Sequence, residues 1–317
     1  MVKVVGHRAF KALYPENTLL AFNKAVEGKV DIIETDLQMT KDGVVVVNHD
    51  SNTGRMWDRD VVVRDVDYDT ITTLRCKEDP SLKMLTLVEL LTWSLDHPEV
   101  QIMLDIKFTN KKIILIKTFG DMMKVKNDLA YWQEKIIWGL WMLDWYQYGI
   151  EVGVLHGFKI IVITMSLDLV EQFIQKSLEQ GLDGFKLFGV SIHYVSSWTD
   201  RFREEIIPLL LKYDVKVFLW TVNKQIDFNY FVGLPIYGAI VDNPIQARTY
   251  LKTNDSRGDA KFAVPSLTSV AGMRFHAFTK LYAIICFFLY SSWAHVKVGG
   301  LSFAYLLGLL LRMVHFF

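Results

Sequence analysis

Short apolar runs alternate along the chain with longer segments whose apolar residues recur every three to four positions. The runs cover residues 2–8, 31–38, 101–107, 135–141, 159–164, 185–193, 215–223 and 237–242. Each is rich in Val and Ile and bounded by turn or polar residues, as a strand buried on both faces reads. Between them, residues 18–26, 167–178 and 201–211 carry the clearest helical spacing. Strands alternating with helices predict a parallel sheet, and eight such strands close a (β/α)8 TIM barrel. An open doubly wound sheet is the alternative. One run breaks the alternation: Val44-Val45-Val46-Val47-Asn48-His49 follows the turn pair Asp42-Gly43. The second strand is therefore expected to continue into a hairpin, with residues 51–83 as a small insertion on the same face.

The barrel is expected over residues 1–252, followed by a linker over 253–272 and a hydrophobic tail over 273–317. The linker is polar and irregular, with Ser256-Arg257-Gly258 and Pro265-Ser266. The tail holds two apolar segments, about 281–294 and 301–311, with a break containing Gly299-Gly300. Each is shorter than the roughly 20 residues of a comfortable membrane span, and neither shows a polar stripe for a solvent face. A re-entrant hairpin held in one leaflet is the expected form. A single span would place Lys297 near its middle at a cost of about 3 kcal/mol. A pair of core helices added to the barrel is the third option. On the first reading the tail is an anchor whose removal leaves the barrel folded.

Composition agrees with that division. The 317 residues carry 35 basic and 35 acidic side chains, and a balance of zero gives no support for nucleic acid as a partner. The hydrophobic fraction of 51% and the mean hydropathy of +0.20 are high for a soluble enzyme, and the tail accounts for the excess. Two cysteines, Cys76 and Cys286, lie too far apart to suggest a disulfide framework. A reduced, cytosol-facing barrel follows. With no signal peptide at the N-terminus, the expected home is an intracellular membrane: endoplasmic reticulum, lipid droplet or mitochondrial outer surface. The partner of the tail is then a lipid bilayer or monolayer.

Barrel enzymes place catalytic groups at the C-terminal ends of their strands, and here those ends are unusually polar. Glu34 and Asp36 are two apart on a strand and share a face. Paired carboxylates repel unless a cation intervenes. Asp105, at the end of the next barrel strand, would join them. Three carboxylates without thiols or close histidine pairs favour one hard divalent cation, Mg²⁺ or Ca²⁺, over zinc. His7 is followed directly by Arg8, and His49 lies at the end of the hairpin. Arg8 and Lys107 suit phosphate oxygens, and the two histidines suit proton transfer to and from the attacking and leaving oxygens. His156, His193 and His276 have no such company and are read as structural.

Taken together, His7-Arg8, Pro15-Glu16-Asn17-Thr18, Glu34-Thr35-Asp36 and Asp42-Gly43 through His49-Asp50 resemble the glycerophosphodiester phosphodiesterase family. Asp105-Ile106-Lys107, Trp220-Thr221-Val222-Asn223 and Asp242 with Pro244 continue the likeness, which covers about residues 2–250. The resemblance implies a TIM barrel and a divalent metal. It implies His7 and His49 as the acid–base pair and Glu34, Asp36 and Asp105 as metal ligands. Arg8, Lys107, Glu16, Asn17 and Trp220 are implied at substrate-binding positions, with Asn17 also a plausible cap for the helix at Thr18. Two departures stand out. The family's usual Glu is Asp105 here, one methylene shorter, which could leave a water between it and the metal. Residues 51–58 follow the family pattern only loosely.

With its apolar tail, the chain resembles one branch of the family, the fungal phosphatidylglycerol-specific phospholipases C. Glycerol in a lipid headgroup offers a vicinal hydroxyl for attack on phosphorus, which choline and ethanolamine lack and inositol has. The expected activity is hydrolysis of phosphatidylglycerol to diacylglycerol and glycerol phosphate. The alternatives are a tethered hydrolase of soluble glycerophosphodiesters, giving glycerol 3-phosphate and an alcohol, and an inactive barrel serving as membrane scaffold or lipid sensor.

Overall fold

A computed structural model describes residues 2–179, 187–231, 234–255, 264–303, 305–307 and 310. Nine strands form one sheet: β1 (Lys3–Gly6), β2 (Ile32–Met39), β3 (Val45–Val47), β4 (Gln101–Ile106), β5 (Ile136–Leu140), β6 (Lys159–Thr164), β7 (Leu187–His193), β8 (Lys216–Trp220) and β9 (Gly238–Val241). All neighbours pair in parallel except β2 and β3. β1 pairs with both β2 and β9, so eight parallel strands close into a TIM barrel. The eight expected runs all become barrel strands. The start of the sixth, residues 185–186, lies outside the described residues.

β3 folds back antiparallel on β2, with Met39 opposite Val45, as the Asp42-Gly43 pair predicts. Residues 51–83 follow as an insertion with its own small core, in which Trp57, Val63, Ile71 and Leu74 pack on Val46 of β3. Cys76 is buried there, and neither cysteine is in a disulfide.

The barrel interior is filled by Val5, Ile32, Met103, Ile161, Phe218 and Ile240. Space for the Phe218 ring is made by Gly238, where a Cβ would meet the ring at 2.6 Å. The layer between strands and helices holds Phe22, Trp132, Trp138 and Phe173, all fully buried. Truncating any of these rings to Ala costs about 3–5 kcal/mol.

Helix Leu19–Glu27 is capped by Thr18, whose hydroxyl accepts from the Ala21 amide. Asn17 is therefore not the cap; it sits one residue earlier at φ 58°, a left-handed conformation that Asn tolerates. The segment expected at 201–211 is helical, but a π turn at Phe202–Ile206 precedes its α part, Ile207–Lys212. Pro208 lacks an amide to donate into the preceding turn, which accounts for the irregularity.

The chain beyond the barrel departs from expectation. Helix Pro244–Asp255 runs past the expected domain end at 252, and a 21-residue helix, Val270–Tyr290, begins inside the expected linker. By length and composition that helix could cross a membrane. It is nonetheless docked on the barrel through Phe275, Phe278, Tyr282, Ile285 and Leu289, spaced three or four apart. They meet Met165, Val195, Trp198 and Tyr230, and Arg274 binds Asp227 with both guanidinium nitrogens at 2.6 and 3.2 Å. The opposite face exposes Leu281, Ile284 and Phe287. This helix thus packs one face on the barrel and leaves the other exposed. Beyond it, Gly299 and Gly300, both at positive φ, turn Lys297–Val298 back onto Leu301–Ser302. Four residues of the second segment, 304, 308, 309 and 311, lie outside the described residues.

Candidate active site

A cavity of about 440 Å³ opens at the C-terminal ends of the strands. His7, Arg8, Glu34, His49, Asp105 and Lys107 line one side; Trp141, Ile163, Met165, Leu169 and Trp220 line the other.

The polar side is built by register. Glu34 and Asp36 alternate inward along β2, and Asp36 stands directly opposite Asp105 of β4. Oxygens of the three buried carboxylates all lie within 4.8 Å of one another. Asp105 therefore reaches the cluster despite its shorter side chain. Its Oδ1 accepts from Trp141 Nε1 at 2.6 Å. The Lys107 ammonium sits between Asp36 Oδ1 at 2.7 Å and Asp105 Oδ2 at 2.5 Å. Among the described residues, nothing other than that ammonium reaches the buried Asp36 Oδ1. Three buried carboxylates that converge on one point with a single ammonium between them fit a hard divalent cation.

The electrostatics point the same way. Burial, then Asp36 and Asp105, push the Glu34 carboxyl well above its ordinary pKa. Burial also works against Asp36, but Lys107, His49 and Arg8 hold it well below the carboxylate range. Burial works to lower the Lys107 pKa, but the surrounding carboxylates, Asp105 first, outweigh it and raise it.

Arg8 turns the corner after β1. Arg8 and Ala9 have φ of 50° and 73°, a conformation that costs about 1–3 kcal/mol per non-glycine residue. Gly6 permits the corner, since a Cβ there would lie 2.2 Å from the Ala9 carbonyl. The corner aims the Arg8 amide at Glu34 Oε2, 2.8 Å away. The guanidinium is held by Glu16 through Nη1, at 2.9 and 3.0 Å.

Each histidine is held by a carboxylate. His7 Nδ1 lies 2.6 Å from Asp242 Oδ1, and His7 Nε2 accepts from Arg8 Nε at 3.3 Å. The Nδ1 proton therefore points to Asp242 and the Nε2 lone pair faces the site. His49 Nδ1 lies 3.0 Å from Asp50 Oδ1, which leaves its Nε2 inward in the same way. Burial and Arg8 lower the His7 pKa against the pull of Asp242. Burial, Arg8 and Lys107 push His49 down to about 3. Both rings are neutral at neutral pH before an anion binds.

Seven of the ten residues predicted from the sequence line the cavity: His7, Arg8, Glu34, His49, Asp105, Lys107 and Trp220. Asp36 completes the carboxylate cluster just behind the wall. Glu16 and Asn17 also lie behind it. Glu16 is taken up by Arg8 and by Arg55, whose Nη2 is 2.5 Å away. Asn17 donates to Asp36 Oδ2 and accepts from Thr35 Oγ1, both at 2.8 Å. Sequence reasoning missed the holders: Asp242, Asp50, Trp141 and Arg55. Arg55, from the insertion, also donates to Asp50 at 2.7 Å, so it ties the mounts of Arg8 and His49 together.

The sequence model of the glycerophosphoryl diester phosphodiesterase family matches residues 7–246. Lysophospholipase D GDPD1 of Mus musculus is 25% identical over 278 residues, covering 78% of this chain and 85% of that protein. An uncharacterized Bacillus subtilis protein, YqiK, is 36% identical over 99 residues, covering 30% of this chain and 41% of that protein. A solved glycerophosphodiester phosphodiesterase from Thermotoga maritima has the same fold, with a TM-score of 0.61 at 23% identity over 78% of this chain and 98% of that one.

Proposed function

The chain belongs to the glycerophosphoryl diester phosphodiesterase family of phosphodiester hydrolases, and we propose that it cleaves a glycerophospholipid, phosphatidylglycerol first, in the manner of a phospholipase C. The observation that carries this reading is the two-sided cavity: groups for a phosphodiester on one side, an apolar wall on the other. A soluble diester uses only the first. Similarity to a lysophospholipase D, whose name denotes a lipid substrate, supports the same class.

Glu34, Asp36 and Asp105 would hold one divalent cation, Mg²⁺ or Ca²⁺, which when bound offsets charge on the phosphate oxygens. Arg8 binds a non-bridging oxygen, while Lys107, already charged, adds to the positive field. A headgroup glycerol hydroxyl attacks phosphorus, and its proton passes to Nε2 of one histidine. The bond between phosphorus and the acylglycerol oxygen breaks, and the other histidine protonates that oxygen. Diacylglycerol and a cyclic glycerol phosphate result. Water then opens the ring with the proton transfers reversed, giving glycerol phosphate. The bound phosphate anion offsets Arg8 and Lys107 and so favours the charged form of one imidazole. Asp242 and Asp50 fix the tautomers throughout.

The exposed face of helix Val270–Tyr290, with Trp293 beyond it, would rest on an intracellular bilayer or lipid monolayer, with the barrel in the cytosol. The test is a product assay on mixed phospholipid vesicles with controlled divalent metal. Diacylglycerol and glycerol phosphate are expected from phosphatidylglycerol. Phosphatidic acid and free glycerol would move cleavage to the other phosphoester bond. Turnover confined to deacylated diesters would make the enzyme a tethered hydrolase of soluble substrates. Metal binding without turnover would favour the scaffold.

A further inference from the structure

The apolar side of the cavity is not made by the barrel alone. Leu289 and Tyr290, from the last turn of helix Val270–Tyr290, line it beside Met165 and Leu169. Those two residues follow the last barrel strand by almost fifty positions, yet their placement is specific. Tyr282, Cys286 and Tyr290 stand four apart and converge on one point at the end of β6. The Tyr282 hydroxyl donates to the Met165 carbonyl, and Cys286 Sγ approaches the same oxygen at 3.8 Å. The Tyr290 hydroxyl faces the Thr164 side chain and the Met165 main chain. Three successive turns are thus pinned at the cavity edge. A helix that served only to attach the protein to a surface would need no such fixing.

The apolar surface does not stop at the cavity. Tyr290, next to Leu289, is substantially exposed, as is Trp293 three residues on. Across the mouth, Met142 and Phe108 line the cavity and are also exposed, at 46% and 54%. A ligand with its phosphate at Arg8 and Lys107 therefore finds apolar side chains on the remaining walls and at the exit. A diester with polar groups at both ends would leave that half in contact with water.

We infer that the C-terminal helix completes the active site: Leu289 and Tyr290, with Met165 and Leu169, form a shelf that receives the first methylenes of the substrate's acyl chains. The inference rests on the lipid reading above and adds where the acylated half binds. It makes Leu289 a specificity-determining residue, outside the region that the family match covers.

Surface recruitment must be kept out of the test, because the same helix would touch a membrane. The full-length protein is therefore assayed on phosphatidylglycerols with four-, five- and six-carbon acyl chains, each kept monomeric. For the natural sequence, kcat/KM should rise about fourfold for each methylene that reaches the shelf. Leu289→Asp should flatten that dependence to less than twofold across the series, and Leu289→Met should restore it. Melting temperature reports folding. Should the Asp variant not fold, Leu289→Ala carries the test, with a shallower dependence expected. A natural protein indifferent to chain length, or a folded Leu289→Asp or Leu289→Ala variant that climbs as steeply as the natural one, would overturn the shelf while leaving lipid cleavage intact. A natural protein that cleaves deacylated diesters but none of the phosphatidylglycerols would instead overturn the lipid reading, and the shelf with it.

Discussion

Replacing Asp242 by Asn isolates the group that mounts His7. The carboxylate takes part in two side-chain hydrogen bonds, with His7 Nδ1 at 2.6 Å on Oδ1 and Asn223 Nδ2 at 2.8 Å on Oδ2, and Lys11 Nζ lies 3.6 Å from Oδ1. An amide can keep only one of them as an acceptor. With its oxygen toward Asn223, its NH2 faces His7 Nδ1. That nitrogen then becomes an acceptor, and the ring proton moves to Nε2. His7 is left in the wrong tautomer to take a proton from the site. The lost charge-assisted hydrogen bond is worth about 1.5–3 kcal/mol, which corresponds to a fall in kcat of roughly 10- to 150-fold. The pH profile should move as well. Asp242 opposes burial and Arg8 in setting the His7 pKa. Without its charge the imidazolium is harder to form, and the acid limb of kcat/KM shifts to lower pH. The assay is phosphatidylglycerol hydrolysis in detergent from pH 4 to 9, with thermal melting as a check on folding. A well-folded variant with less than threefold loss and an unmoved acid limb would show that Asp242 does not govern His7.

Chelation should abolish turnover and Mg²⁺ or Ca²⁺ should restore it, while Asp36→Asn should regain part of its activity in excess metal; full activity of a metal-free preparation, verified by elemental analysis, would remove the carboxylate cluster from the mechanism. His49→Ala should lower kcat by roughly 10² or more without unfolding the barrel, and near-normal turnover would exclude it from proton transfer. Arg55→Ala should lower kcat more than it raises KM, because Arg55 holds Glu16 and Asp50 and lines no part of the cavity; a pure KM effect would make it a substrate contact instead. Deleting residues 270–317 should lower the melting temperature by several degrees and reduce turnover even in detergent, since Trp198 and Tyr230 lose their cover; an unchanged melting curve would mean that the helix adds nothing to the barrel's stability.

The polar side of the cavity was largely legible in the sequence, for reasons of strand geometry. Glu34 and Asp36 share a face because a strand has a period of two, and Asp105 meets them because its strand end lies at the same height. The carboxylates that hold the histidines were less visible. Asp50 adjoins His49 in the chain, but nothing local distinguishes it from any charged turn residue. Asp242 is 235 residues from His7, and only barrel closure brings them together. The docking of the tail helix was hidden for a different reason. Its docking stripe at Phe275, Phe278, Tyr282, Ile285 and Leu289 lies opposite another apolar face, so composition alone could not say which face was covered.

Closure of the barrel also bears on how the protein is made. β1 finds one of its two neighbours, β9, only at the far end of the domain, where Gly6 comes to lie opposite Val241. Asp242, the next residue, is the one that orients His7. The last strand to leave the ribosome thus seals the sheet and seats the first histidine in a single event. A nascent chain can assemble its carboxylate cluster early, from β2 and β4, and still lack the mount of His7. Measured on stalled chains of increasing length, activity should be absent until β9 has emerged.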